Sequence, residues 1–233
     1  MFLQCSNLCF MYPNSQAKVL DKLSFRLVGP GFNAVFGPSG VGKSSLARIL
    51  AGSLAPAAGE LQPEGISTIL YTHNLERLPG WTRLAEHLDA VSPLSKGGLR
   101  RELTELFGLS GLMRATFSQL SLGQRNRINL LRYLLQDFDL LIMDESLANV
   151  DEKLRESIIL QLKRLFPDKL FICISHNLLE VAKFCKEIVV LRGENGCQTL
   201  RGLDLHQHST VDQHSVNAVM LRIMNASQSC CSA

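Results

Sequence analysis

The chain has 233 residues, of which 46% are hydrophobic and 19% are charged, a composition typical of an ordinary globular protein and not of a disordered one. The formal net charge of +3 is too small to indicate a nucleic-acid partner by itself, and we expect none. No uninterrupted apolar run approaches the roughly 18 residues of a membrane-spanning helix, so we expect that the chain itself does not cross a membrane.

The cysteines and the first residues favour a reducing compartment. The seven cysteines are odd in number and contain no C-x-x-C pair, so neither a disulfide framework nor a zinc site is indicated. The opening "MFLQCSNLCFMYP" has no basic region and a broken apolar segment, which makes a secretory signal unexpected. We therefore expect a cytoplasmic protein.

Apolar strand candidates alternate with helical patterns along most of the chain. In order, the strand candidates are "NAVF", "STILY", "DLLIMD", "LFICIS" and "EIVVL". This alternation predicts an α/β fold with a largely parallel sheet. The opening segment, from "LQCSNLCFMY" to "LDKLSFRLV", predicts short antiparallel strands beside that core, with a turn at Pro13 and Asn14.

The segment "FGPSGVGKSS" fits the phosphate-binding pattern G-x-x-x-x-G-K-[ST] without a mismatch. Glycines let consecutive backbone N–H groups turn toward a phosphate chain, while the lysine reaches the outer phosphates and the hydroxyl holds Mg²⁺. A β-rich "FNAVF" precedes the pattern, and a helical pattern that ends at Gly52 follows it, as the chemistry requires. The predicted phosphate-contacting residues are Gly37, Pro38, Ser39, Gly40, Val41, Gly42, Lys43, Ser44 and Ser45.

A helix-rich region without a convincing strand follows, and it predicts a helical insertion beside the sheet. Near its end, "LSLGQRNR" puts Ser121 and Gly123 at the start of an apolar-periodic helix. A helix N-terminus preceded by small residues is a good anion site. An ordinary serine cap is the alternative, but a cap alone would not require Gly123 and Gln124.

The string "LLIMDES" is an apolar strand that ends in Asp144 and Glu145. The carboxyl edge of a parallel sheet is where open α/β folds bind ligands. One carboxylate can hold Mg²⁺ and the next can polarise an attacking water. Downstream of a phosphate loop, this pair predicts nucleotide hydrolysis.

In this order, the motifs resemble those of the nucleotide-binding subunit of an ATP-binding-cassette (ABC) transporter over nearly the whole chain. "LSLGQ" is similar to the family signature L-S-G-G-Q and lies between the phosphate loop and the Asp-Glu strand, as in the family. The resemblance implies a P-loop NTPase fold with a mostly parallel core sheet, an antiparallel β flank and a helical subdomain. It also implies a cassette over residues 1–205, with its helical subdomain at about 75–135, and a short C-terminal helix and tail over residues 206–233.

The resemblance implies ATP and Mg²⁺ as cofactors and assigns the chemistry to particular residues. Ser44 and Asp144 would bind Mg²⁺. Glu145, Lys43 and His176 would be catalytic, His176 because it follows the strand "FICIS" where the family has a histidine that contacts the γ-phosphate.

The resemblance further implies that two cassettes pack head to tail and share each ATP. Tyr12 is similar to the aromatic residue that stacks on adenine, and Asp151 matches the last residue of a loop that follows the Asp-Glu strand. The signature residues expected to act on the nucleotide of the partner cassette are Ser121, Leu122, Gly123 and Gln124.

The chain departs from the family pattern in four places. Where a metal-side glutamine is usual, the alignment puts His73, or Asn74 if the loop shifts by one residue. Leu122 replaces a signature glycine, Ser146 replaces a proline, and the loop before Asp151 matches poorly. These departures fall on loops that communicate between cassettes or toward the membrane, so they put coupling in more doubt than catalysis.

The resemblance implies a transporter-energising ATPase, peripheral on the inner face of the cell membrane, with permease subunits on separate chains. "RLPGW" is similar to an element of nitrate, sulfonate and taurine importers, which favours import of a small solute and could involve a solute-binding protein. The alternatives are a soluble ABC ATPase, such as the iron–sulfur cluster assembly type, and a slowly hydrolysing cassette paired with a different one. An unrelated phosphate-loop kinase or GTPase would leave "LSLGQRNR" unexplained.

Overall fold

Two β-sheets and the helices around them make up the computed structural model, which describes residues 1–13, 15, 17–74, 76, 78–192, 196–207 and 212–228. The strands are β1 (Phe2–Phe10), β2 (Leu20–Val28), β3 (Gly31–Phe36), β4 (Ala58–Glu64), β5 (Ile69–His73), β6 (Leu140–Asp144), β7 (Leu170–Ile174), β8 (Glu187–Leu191) and β9 (Cys197–Arg201). The α-helices are α1 (Lys43–Leu50), α2 (Leu84–Val91), α3 (Gly97–Leu106), α4 (Leu122–Leu134), α5 (Glu152–Leu165), α6 (Leu178–Phe184) and α7 (Gln213–Gln228).

The larger sheet has the strand order β5-β6-β7-β3-β8-β9, and all its pairs are parallel except β8 with β9. β6 and β7 are buried at every position, which explains why they read as continuous apolar runs and not as alternating ones. The predicted α/β fold with a mostly parallel sheet is confirmed. All five strand candidates from the sequence lie in this sheet.

The smaller sheet is antiparallel, with the order β2-β1-β4. β1 and β2 alternate between buried and exposed residues, as expected for strands that cover the core with one face. The predicted antiparallel flank is therefore confirmed. Asn14 of the predicted turn lies outside the described residues.

The region between β5 and α4 is helical, as predicted. In its described residues the only β pairing is an isolated bridge between Arg83 and Thr116. Its helices α2 and α3 bury leucines against α4, so the region shares one apolar cluster with the face of the large sheet.

Helix α7 closes the described chain and packs on the sheet. Its buried positions Val216, Val219, Ile223 and Ala226 recur at helical spacing, and Val219, Ile223 and Ala226 join the cluster formed by α6 and β8. Within the described residues, no helix is both long and apolar enough to cross a membrane.

The aromatic core under the large sheet should contribute strongly to stability. Phe171 is fully buried and stacks on Phe32 at a centroid distance of 4.4 Å. Phe171→Ala should lower the free energy of unfolding by about 3–5 kcal/mol because it leaves a cavity at this stack. Urea-induced unfolding measures the loss.

Leu221→Ala is the matched control, since Leu221 is 58% exposed on α7. It should change the free energy of unfolding by less than about 0.5 kcal/mol. Equal losses in the two variants would contradict the placement of the core.

Candidate active site

The phosphate-binding pattern forms the loop between β3 and α1, as predicted. Helix α1 begins at Lys43, and its N-cap Gly42 has no side chain to occupy the free backbone N–H groups. Gly40 has a φ of 79°, and a Cβ there would meet no atom within 4 Å, so the loop is open on that side. An uncapped helix N-terminus below an open loop is suited to bind an anion.

Lys43 lies at the base of this loop and is only 6% exposed. Its ammonium donates to the carbonyl oxygens of Gly37 at 2.9 Å and Pro38 at 2.7 Å. Burial lowers the pKa of Lys43, while the nearby carboxylates of Glu145 and Asp144 oppose that shift. The structure thus holds a cation next to the open loop.

A cleft of about 310 Å³ brings most of the predicted nucleotide and catalytic residues together. It is lined by Ser39, Gly40, Gly42, Lys43, Ser44 and Ser45 of the loop, by Tyr12 and Val19 on one side, and by Asp144, Glu145 and His176 on the other.

Tyr12 forms part of the wall of the cleft and is 38% exposed. Its hydroxyl lies 3.0 Å from Ser45 Oγ, and its ring packs edge-to-face against Phe10 with centroids 4.9 Å apart. The ring is therefore fixed from one side and available to a ligand from the other.

The two predicted carboxylates occupy different environments. Asp144 is buried at the end of β6, whereas the Glu145 side chain is 37% exposed and its residue has a φ of 54°. That left-handed conformation is uncommon for a residue other than glycine and turns the chain sharply out of the strand. The backbone N–H of Glu145 donates to Ile174 on the neighbouring strand at 3.0 Å, which holds the turn in place.

Glu145 and His176 are in direct contact. His176 Nε2 lies 2.7 Å from Glu145 Oε1, and both side chains are partly exposed to the cleft. The sequence placed both residues after strands, and the parallel pairing of β6 with β7 explains why they meet.

Sequence reasoning missed Tyr71, which lies on β5 next to Asp144. The Tyr71 hydroxyl donates to Asp144 Oδ2 at 2.9 Å. Burial, together with the charge of Asp144, raises the pKa of Tyr71 to about 12, so it remains a donor at ordinary pH. A tyrosine inside the apolar string "STILY" was a signal, because a buried hydroxyl usually needs a partner.

The structure distinguishes His73 from Asn74 on the metal side. His73 pairs with Asp144 in the β5–β6 register, and its Nδ1 lies 2.9 Å from the Asn74 carbonyl oxygen. The Asn74 backbone N–H donates to the Asp144 carbonyl at 3.1 Å. Its side-chain Oδ1 is buried and has no hydrogen-bond partner among the described residues.

The signature residues lie outside the cleft lining in the described part of the chain. Ser121 caps α4: its Oγ accepts from the Gln124 backbone N–H at 3.3 Å, and Gln124 Oε1 accepts from the Ser121 N–H at 2.9 Å. This reciprocal cap is the simple alternative weighed for the motif, and Leu122 beside it is 44% exposed.

Gly123 is explained by a close approach and not by the cap. A Cβ at Gly123 would lie 2.5 Å from the backbone oxygen of Asn149, so the start of α4 touches the loop after β6 directly. The next residues of that loop lead to Asp151, whose carboxylate caps α5 by accepting from Leu154 N at 2.9 Å. The signature and the loop therefore form one surface.

The residues present fit a magnesium nucleotide. Ser44 and Asp144 supply hydroxyl and carboxylate oxygens, the ligands that Mg²⁺ prefers. The buried, unpartnered Asn74 Oδ1 is a further oxygen beside the Asp144 backbone. The open loop at Gly40 and the uncapped start of α1 fit phosphate.

Comparison with solved structures supports the predicted fold. The chain resembles a metal-chelate type ABC transporter in an inward-facing conformation, with a TM-score of 0.70, 20% identity, and coverage of 85% of this chain and 82% of that one. It also resembles a bacterial Atm1-family ABC exporter with ATP bound, with a TM-score of 0.79, 18% identity, and coverage of 95% and 42%. At these identities the likeness confirms the P-loop NTPase fold of ABC ATPases and nothing further.

Comparison with curated sequences finds relatives of higher identity than these solved structures. The chain is 32% identical to the molybdenum import ATP-binding protein ModC of Rhodobacter capsulatus over 72% of its own length and 51% of that relative. It is 30% identical to the chloroplastic ABC transporter I family member 11 of Arabidopsis thaliana, covering 77% of this chain and 74% of that protein. It is 28% identical to the taurine import ATP-binding protein TauB of Pseudomonas fluorescens, covering 87% of this chain and 82% of that protein.

The chain spans only about half the length of the molybdenum import relatives. The family model described as "ABC transporter" matches residues 20–148, which is more than half of this chain and extends from β2 to the loop after Glu145. This chain therefore belongs to the ABC transporter family.

Proposed function

We propose that this chain is the ATP-binding and ATP-hydrolysing subunit of a membrane transporter. Its ATP-dependent pairing with a second cassette would drive transport. The observation that carries the proposal is the 2.7 Å contact between Glu145 and His176 at a cleft whose base is Lys43. A carboxylate and an imidazole in contact beside a phosphate loop are suited to hydrolyse a phosphoanhydride.

Binding of the nucleotide would begin at the loop. The backbone N–H groups of residues 39–42 and the start of α1 would bind the phosphates, while Tyr12 offers its exposed ring to the adenine. Lys43 would exchange its bonds to the loop carbonyls for bonds to the outer phosphates. A buried ammonium gains from that exchange, because a phosphate charge offsets the burial that lowers the Lys43 pKa.

Ser44 and Asp144 would hold Mg²⁺, and the Tyr71 hydroxyl would orient the Asp144 carboxylate. When bound, the metal neutralises charge on the phosphate oxygens. Of the two candidates for the remaining metal-side group, we favour Asn74, because its side-chain oxygen has no hydrogen-bond partner among the described residues and Mg²⁺ prefers oxygen ligands to the ring nitrogens of His73.

Glu145 would accept a hydrogen bond from the attacking water and polarise it. His176 would contact the γ-phosphate beside Glu145, and the 2.7 Å contact between the two side chains would place them together. Their partial exposure means that a second surface must exclude water before hydrolysis becomes efficient.

The second surface would come from another cassette, identical or different. Ser121 to Gln124 lie away from the cleft of their own chain, so we propose that they act on the nucleotide of the partner. The cap at Ser121 orients the start of α4 for this role, and Gly123 keeps it against the loop that ends in Asp151. In this proposal residues 1–205 form the cassette, with the helical subdomain at about 75–135, and residues 206–233 form a C-terminal helix and tail.

We propose that the chain is a cytoplasmic, membrane-associated subunit that pairs with permease chains. We further propose that the direction of transport is import of a small solute. The relatives named as import ATP-binding proteins for molybdenum and taurine support this direction. Trp81 in "RLPGW" is 85% exposed beside a cavity whose lining combines apolar residues, such as Leu78 and Leu122, with polar ones, such as Glu76 and Arg125. A large exposed aromatic side chain beside such a cavity supports a permease contact there.

Glu145→Gln tests the hydrolytic proposal. The amide cannot polarise water as a carboxylate does, so kcat should fall by about 10²- to 10⁴-fold while ATP binding persists. Steady-state ATPase assays and light scattering should show an inactive, ATP-bound dimer.

Glu152→Gln, on an exposed carboxylate at the start of α5, is the control and should keep the wild-type rate. A wild-type rate in Glu145→Gln would refute the role of Glu145. An absent wild-type ATPase that appears only with added permease would point to a site completed by that partner.

Asn74→Ala and His73→Ala separate the two metal-side candidates. Asn74→Ala should raise the Mg²⁺ concentration for half-maximal ATPase by about tenfold, equivalent to one lost ligand interaction of about 1.4 kcal/mol. His73→Ala should shift it by less than about twofold. The reverse order would assign the role to His73, and Mg²⁺ titration of both variants decides between them.

Gly123→Ala tests the contact between the signature and the loop after β6. The added methyl must displace the Asn149 backbone, so ATP-driven dimerisation should weaken at least about tenfold, with ATP binding to the monomer retained. Gly98→Ala on the exposed face of α3 is the control, since nothing lies within 4 Å of its Cβ. Analytical ultracentrifugation with ATP measures both, and unchanged dimerisation in Gly123→Ala would contradict the role of this contact.

A further inference from the structure

An ion pair between Arg155 and Glu180 lines the same cavity as the Glu145–His176 contact. Arg155 is near the start of α5 and Glu180 near the start of α6, and Arg155 Nε is 3.6 Å from Glu180 Oε2. The two side chains are only 18% and 10% exposed. Both line a cavity of about 200 Å³ whose other walls include Glu145 and His176.

Arg155 is bonded to the loop that follows β6. Its Nη2 donates to the Val150 carbonyl oxygen at 2.6 Å, and its backbone N–H donates to the Asp151 carbonyl at 2.9 Å. Val150 is 6% exposed, so this bond holds a buried part of the loop that begins at Glu145. The guanidinium thereby connects that loop to α6 through the charge of Glu180 and not through a hydrogen bond, because Arg155 Nε has no hydrogen-bond partner among the described residues.

Glu180 is bonded to the loop that follows β7 and contains His176. Its backbone N–H donates to Asn177 Oδ1 at 3.1 Å, which caps the start of α6. The Asn177 N–H in turn donates to Ser175 Oγ at 3.1 Å. Asn177, the residue after His176, is therefore bonded both to Ser175 and to the backbone of Glu180.

The charged form of Glu180 is favoured by Arg155. Burial raises the pKa of Glu180, and the positive charge of Arg155 and the Ser175 hydroxyl oppose that shift. Loss of either partner would leave a largely buried ion without its counter-charge, and the remaining side chain would have to turn toward water. The neighbouring loop, bonded to Arg155 in one case and leading into α6 at Glu180 in the other, would then lose its fixed position.

We propose that Arg155 and Glu180 are a positioning pair that fixes the Glu145 and His176 loops relative to each other for hydrolysis. This inference rests on the proposed function, in which Glu145 and His176 act on ATP. Neither residue of the pair lines the nucleotide cleft in the described part of the chain. The pair should therefore affect the rate of hydrolysis more than the binding of ATP.

The chain offers a matched control in a second ion pair between the same two helices. Lys183 Nζ on α6 donates to Glu156 Oε1 on α5 at 2.7 Å, and both side chains are 25% exposed. This pair only joins α5 to α6, whereas Arg155 also bonds to the loop after β6 and Glu180 lies in the first turn of α6, directly after the loop that carries His176. Glu156→Gln therefore weakens the helix contact alone.

Glu180→Gln and Arg155→Met should each lower kcat by about 10- to 100-fold, because misplacement of a catalytic group by about 1 Å has an effect of this size. The Kd for ATP should stay within about twofold. Arg155→Lys should recover part of the lost rate. The double variant with Glu180→Gln and Arg155→Met should have a kcat no lower than that of the more impaired single variant, as expected for residues acting as a unit. Glu156→Gln should keep kcat within about twofold of wild type.

Steady-state ATPase rates, fluorescent-nucleotide binding and thermal unfolding midpoints give these quantities. Equal kcat in Glu180→Gln and Glu156→Gln, or a loss of ATP affinity that matches the loss of kcat, would overturn the proposal. Hydrogen exchange in residues 145–151 and 175–178 gives a second readout that needs no ATPase activity. Both segments should exchange faster in Glu180→Gln than in Glu156→Gln, and equal exchange would also overturn the proposal.

The same experiments separate this inference from the proposed function. A wild-type protein without ATPase activity, alone or with its permease, would refute the hydrolytic function. Hydrogen exchange would then still decide whether Arg155 and Glu180 fix the two loops.

Discussion

Parallel, in-register pairing of β6 with β7 is the constraint on which the site depends. The register sets Asp144 opposite Ile174, so the residues that follow each strand leave the sheet at the same edge. Glu145 and His176 meet because of this register and not because of any local attraction in the sequence. A slip of one residue would turn every side chain of β6 to the other face and remove Asp144 from the cleft.

The phosphate loop depends on the same sheet. β3 lies next to β7 in the strand order, which brings the start of α1 to the edge where Asp144 and Glu145 emerge. The fold therefore places a buried cation, Lys43, near the carboxylates of Asp144 and Glu145. The hydrogen bonds of Lys43 go to backbone carbonyls and not to these carboxylates. A ligand that brings a phosphate to the lysine and a metal cation to the carboxylates would stabilise this arrangement further. This is a physical reason to expect that the phosphate and the metal bind together.

The sequence was informative where burial and backbone geometry constrain residue type. Continuous apolar strings predicted β6 and β7, and glycines with a lysine predicted the phosphate loop. β4 was missed because "AGELQPE" is exposed at nearly every position, so its place depends on backbone bonds to β1 and not on its own hydrophobicity. β9 was missed for the same reason, since Leu200 is its only buried residue.

Contacts between side chains distant in the sequence could not be predicted, and they are where the site differs from its motif. Tyr71 and Asp144 are bonded, yet their pairing requires the β5–β6 register, which a single sequence does not show. Arg155 and Glu180 lie in helical segments of the sequence that give no sign of their pairing, yet both side chains are largely buried. A buried ion pair is weak evidence of stability, because desolvation costs about as much as the pairing returns. The role that we propose for this pair is therefore the orientation of the neighbouring loops and not the stability of the fold.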